Sequence, residues 1–172
     1  VGRPDVPKEK IVVVGGITFM TGIQGNCHLQ HLTLRQAKVN GVKGYSSFTM
    51  DDVLVEQCRD FGVSAYGTGV VGRCTNVEVR QCGGSGMFAC SGGSITLIGA
   101  KTTVYHNCTY GRCDWYGLQV FGYSSTIQLV SPLTKEQVAI DNSRGRNWGD
   151  ERGLHQIKTI ESPAIVSSSA HV

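Results

Sequence analysis

At 172 residues the chain is long enough for one domain and marginal for two. Charged residues make up 17%, against roughly 25% in ordinary globular proteins, while glycine reaches 23 residues, nearly twice its usual share. No glycine recurs every third residue, which excludes collagen, and Val, Ile and Leu run throughout, which argues against disorder.

The net charge is +3. Lys and Arg are scattered singly apart from Arg144, Arg146 and Arg152, so no basic stripe with interleaved aromatics forms and no nucleic-acid partner is expected. No stretch approaches the roughly 18 apolar residues of a membrane span, and no membrane partner is expected. The seven cysteines include no CxxC pair, and Cys108 and Cys113 have poor zinc spacing. No metal or cofactor is expected. An odd number of thiols in a chain this size reads as buried small hydrophobes in a reducing compartment.

In chain order, residues 1–26 read as opening strands, Ile11–Val14 and Ile17–Phe19, that cap the fold. The chain starts at Val1-Gly2-Arg3-Pro4, as a mature form or an excised segment would. From 27 to 130 the sequence repeats itself. LTLRQAKVNGV (32–42), VLVEQCRDFGV (53–63), VEVRQCGGSGM (77–87) and TVYHNCTYGRC (103–113) align. Gln36, Gln57, Gln81 and Asn107 then share one column, read as an amide ladder at a bend. Ala37, Cys58, Cys82 and Cys108 share the next, and Gly41, Gly62 and Gly86 a third. A second registration matches Cys113 to Leu118 with Cys58 to Val63, placing an insertion near Gly99–Asn107. Both remain open.

Each copy alternates at period two: Leu32 and Leu34, Val53 and Val55, Val77 and Val79. A second short strand follows the glycine, from Val63, Met87 and Leu118. A third includes Val70, Ile95 and Leu97, and Ile127 and Leu129. Three short strands in about two dozen residues are solved by winding, each strand pairing in parallel with its counterpart one turn later. Residues 131–172 break the pattern. Pro132–Gln137 reads as a short helix or a loop, Asn142–Gly153 as loop, Gln156–Ile160 as a last strand, and Ser167–Ser169 as a tail.

This architecture resembles the right-handed parallel β-helix (pectin-lyase-like) superfamily, over about residues 11–130. The resemblance implies the fold, not a chemistry. Polygalacturonases share Asn-Thr-Asp, Asp-Asp, Gly-His-Gly and Arg-Ile-Lys; this chain has only Asp51-Asp52 and Ile157-Lys158, with Gln156 in the arginine position. Inverting hydrolysis needs carboxylates about 6.5–9.5 Å apart, and adjacent aspartates on a strand point to opposite faces. The aspartate ladder of pectate lyases is also missing, because Gly84 stands over Asp60.

The remaining candidates lie on the outer surface. Arg35, Glu56, Arg80 and His106 form an outward column read as a solvated charged face. Phe61, Tyr66, Trp115, Tyr116 and Tyr123 are candidate ligand-binding aromatics, offering flat apolar surface to sugar rings; turn packing is the simpler role. Asn107-Cys108-Thr109 is a formal glycosylation sequon, discounted because Asn107 belongs to the ladder.

Two functions follow. One is a non-catalytic structural or interaction module, with a protein partner or a homo-oligomer. The other is a carbohydrate-active domain that binds or cleaves an acidic polysaccharide. For the fold, Cys58→Asp buries an unpaired charge in the lumen and is expected to lower the urea midpoint strongly; equal midpoints contradict the ladder.

Overall fold

The structure, a computed structural model, describes residues 1–111, 114–150 and 154–162. Arg112, Cys113, Arg152, Gly153 and the Ser167–Ser169 tail lie outside the described residues.

The chain winds into a parallel β-helix. Its first coil carries β1 (Val12–Val14) and β2 (Ile17–Phe19), the second β3 (Cys27–Arg35) and β4 (Val42–Gly44), and the third β5 (Phe48–Glu56) and β6 (Val63–Tyr66). The fourth carries β7 (Val71–Thr75), β8 (Glu78–Arg80) and β9 (Met87–Cys90). The fifth carries β10 (Ser94–Ile98), β11 (Thr103–Tyr105) and β12 (Leu118–Phe121). The sixth carries β13 (Thr126–Val130), the helix α1 (Lys135–Val138), β14 (Ala139–Ile140) and β15 (Trp148–Gly149), and β16 (Ile157–Ile160) follows. Every strand pair is parallel.

Three faces result. The first stacks the N-terminal halves of β3 and β5 with β7, β10, β13 and β16. The second stacks β1, the C-terminal halves of β3 and β5, β8, β11 and β14, and the third stacks β2, β4, β6, β9, β12 and β15. The corner between the first two faces is a single left-handed residue per coil: His31, Asp52 and Asn76, with φ of 52°, 50° and 51°. These are residue types that tolerate this region best. The next corner repeats the device at Gln36, Gln57, Gln81, His106 and Asp141.

The lumen is filled by period-two ladders. Leu34, Val55, Val79, Val104 and Ala139 stack in register and are fully buried. Each leucine or valine among them contributes about 1.5–3 kcal/mol by burial. Immediately after the second corner comes the column Ala37, Cys58, Cys82, Asn107 and Asn142, all buried. It faces Gly16, Gly41, Gly62, Gly86 and Gly117, where a Cβ would meet those very side chains.

This differs by one residue from the repeat alignment over 103–113. β11 pairs Val104 with Val79, so His106, not Asn107, continues the glutamine column, and Asn107, not Cys108, continues the Ala/Cys column. The cause is the pleat: a one-residue slip would turn Val104 out of the lumen. The insertion also lies after Asn107, spanning Cys108 to Tyr116, rather than before it. The amide ladder is internal. Asn107 Nδ2 donates to Val79 O (3.1 Å) and Asn142 Oδ1 (3.1 Å), and its Oδ1 accepts from Cys82 N (3.1 Å). The outer glutamines contribute one long contact, Gln57 to Gln81 at 3.4 Å. The engaged, buried Asn107 is no glycosylation acceptor as folded.

Among the described residues the later segments resolve as one short α-helix, a 3-10 turn at Ser143–Gly145 and three strands. Thr134 caps α1 through a capping box with Gln137. β15 falls within the stretch read as loop, because Trp148 stacks over Leu118.

At Gly62 an added Cβ would strike Val79 Cγ1 and lie 2.6 Å from Gly86 O. Gly62→Ala is expected to cost more than about 2 kcal/mol in urea unfolding, as overpacking against backbone; a change under about 0.5 kcal/mol contradicts this close approach.

Candidate functional site

Outward residues of the third face form an aromatic cluster. Phe61 stacks on Phe88 at 4.5 Å between centroids and meets Trp115 edge-on at 5.9 Å. Tyr66 meets Phe88 edge-on at 5.8 Å and lies 5.5 Å from Tyr45. Lys43 Nζ sits over both Tyr45 and Tyr66, at 5.1 and 5.2 Å. The structure therefore brings together Phe61, Tyr66 and Trp115 from the sequence candidates. Tyr116 packs instead over Gly149, and Tyr123 occupies the turn before β13, where its carbonyl accepts from Gln156. Phe88, Tyr45 and Lys43 were missed. The signal was present for Phe88: Met87 and Ala89 are lumenal, so period two turns Phe88 outward.

The charged column on the second face is Arg35, Glu56, Arg80 and Tyr105, with His106 displaced to the corner. It is not a solvated stripe. Glu56 is 3% exposed and clamped by Arg35 Nε at 2.6 Å and Arg80 Nη2 at 2.8 Å. Arg80 also donates to Glu78 and to the Tyr105 hydroxyl, both at 3.0 Å. Burial pushes the Glu56 carboxyl up, but bonds from Arg80 and Arg35 outweigh it and hold the group below its ordinary value. Burial alone pushes the Cys74 thiol up to about 12, the mark of an inert buried cysteine.

On the first face, His28, Thr49 and Arg73 stand in one outward column. They line a depression of about 530 Å³ with Phe48 and Val71. His28 Nδ1 lies 2.6 Å from Thr49 Oγ1.

The first coil is apolar and uncovered. Val12, Val13 and Val14 are 36%, 42% and 72% exposed, and Met20 and Ile23, just after β2, are exposed too. β1 pairs only with β3 and β2 only with β4, so both leave a strand edge unpaired among the described residues. Val13 stands over Leu34 and thus faces the lumen's open end. Residues 2–10 run along the outside of β3 and β5.

Among the described residues no cluster of His, Cys, Asp or Glu could hold a metal ion, and no helix is long and apolar enough to cross a membrane. Comparison with protein-family models, with curated proteins and with solved structures finds no match.

Glu56→Gln is expected to cost about 2 kcal/mol at neutral pH, as lost charge-assisted bonds. A carboxyl held below its ordinary 4.5 stabilises the fold above that value, and the contribution is lost as pH falls through the lowered folded value. The gap between variant and parent in urea should therefore close in acid. A gap independent of pH contradicts the clamp.

Proposed function

We propose that this chain is a non-catalytic β-helix structural or interaction module that docks end-on through its first coil, with a second copy of itself as the occupant. The carrying observation is the exposed apolar edge of β1 and β2. Whatever covers it must supply main-chain donors and acceptors together with apolar side chains. A second copy presenting the same edge does both, through a two-fold interface in which an apolar patch is its own complement. Descent from the right-handed, pectin-lyase-like superfamily fits the coil architecture and belongs to the same proposal.

The polysaccharide reading draws its support from the Arg73, His28 and Thr49 depression, which suits a carboxylate beside hydroxyls. The aromatic cluster favours it less, since Phe61 and Phe88 spend a ring face on each other.

Sedimentation from about 1 to about 100 μM should show a concentration-dependent dimer, lost when Val13→Lys places a charge at the edge. A monomer throughout overturns end-on self-docking. A monomer whose melting temperature rises with polygalacturonate, with the rise lost in Arg73→Ala or His28→Ala, establishes the alternative instead.

A further inference from the structure

The N-terminal segment crosses the outside of coils two and three before it enters β1. Gly2 N donates to Gln30 O at 2.7 Å along the free edge of β3, and Thr33 Oγ1 donates to Lys8 O at 2.9 Å from the outer face; Thr33 N to Ile11 O at 2.8 Å begins the pairing of β1 with β3. Thr33 and Leu54 point away from the lumen, in register with each other, yet both are fully or almost fully buried. The strap is fixed at its middle by three side chains. His31 Nε2 lies 2.8 Å from Val6 O, His31 Nδ1 lies 2.6 Å from Asp52 Oδ2, and Lys8 Nζ lies 2.7 Å from Asp52 Oδ1.

Both neighbours of the His31 ring are pure acceptors. A carbonyl oxygen requires a donor at Nε2, and a carboxylate requires a donor at Nδ1. Only the imidazolium donates from both nitrogens. The corner backbone makes this possible: His31 and Asp52 occupy equivalent left-handed positions on successive coils, which stacks their side chains under the strap.

We propose that His31 is a proton-operated latch: protonated, it clamps the strap of residues 2–10 to Asp52, and on losing its proton it releases the strap from the outer face of β3 and β5. The latch stands independently of how the first coil docks.

The Val6 carbonyl and then Asp52 raise His31 above its ordinary 6.5, against the opposing effects of burial and Lys8. A raised value means full latch strength below 6.5, lost as pH rises through the higher folded value. Burial pushes Asp52 up, but Lys8 and His31 outweigh it and hold it below 3.8, so its part fails only in strong acid. Lys8 and Asp52 are the charged groups acting on His31. Of the strap's other charges, Arg3 and Asp5 pair with each other, both exposed, while Glu9 and Lys10 are exposed.

The test is a nitroxide at Glu9, read by continuous-wave EPR across pH 5 to 9 on the whole chain. The label should be immobilised at low pH and gain mobility with a midpoint above 6.5, matching the His31 ring titration followed by NMR. In His31→Asn, with unchanged circular dichroism, the label should be mobile throughout and the midpoint absent. Should that variant unfold, the parent's matched label and ring midpoints carry the test. A label equally immobile at pH 9, or a midpoint that survives in His31→Asn, overturns the latch.

Discussion

The whole structure depends on how closely one coil sits on the next at the glycine column. Gly41, Gly62 and Gly86 each lie against the following coil's glycine carbonyl and a lumenal side chain, and Gly117 against the Asn147 carbonyl and the Asn142 side chain, so a Cβ has no room. That contact sets where the third face begins on every turn. It also fixes which small residue may sit beneath: Ala37, then Cys58 and Cys82, then the asparagines Asn107 and Asn142. The exchange of thiol for amide has a physical reason. Asn107 opens a turn six residues longer than those of the coils before it, while the turn after Asn142 is longer by a single residue, and their side chains bond backbone that regular strand pairing leaves unserved.

A stack of this kind uses its outer faces on itself. Equivalent side chains lie one coil apart, so rings pack on rings and charges on opposite charges. Phe61 and Phe88 are partners before they are a platform, and Glu56 is buried between two arginines before it is a reactive carboxylate. What such a rod leaves unsatisfied is its end. The first coil, with β1 and β2 unpaired on one side, is where an interaction gains most.

Much of this was legible from spacing. The period-two valines, the Gly41, Gly62 and Gly86 column and the Ala/Cys column each carry a local signal that repeats on every turn. Over 103–113 residue type matches Asn107 to the glutamine column and Cys108 to the Ala/Cys column, but the alternation of Thr103, Val104 and Tyr105, which places Val104 inward, is the stronger constraint. The aromatic cluster was read in part, since Phe88 needed that same parity argument. The His31, Asp52 and Lys8 contact had half a signal: the first two are 21 residues apart, one coil, but nothing periodic brings Lys8 from outside the repeat onto them.

The most direct test of the coil stack is a distance between nitroxides at Thr49 and Lys158 on the exposed first face. Register links them through Arg73, Thr96 and Gln128. Four coil steps of about 4.8 Å put their backbones about 19 Å apart. A narrow distribution near that separation is expected. A distance beyond about 30 Å, which this parallel register cannot reach with five strands side by side, would contradict the fold.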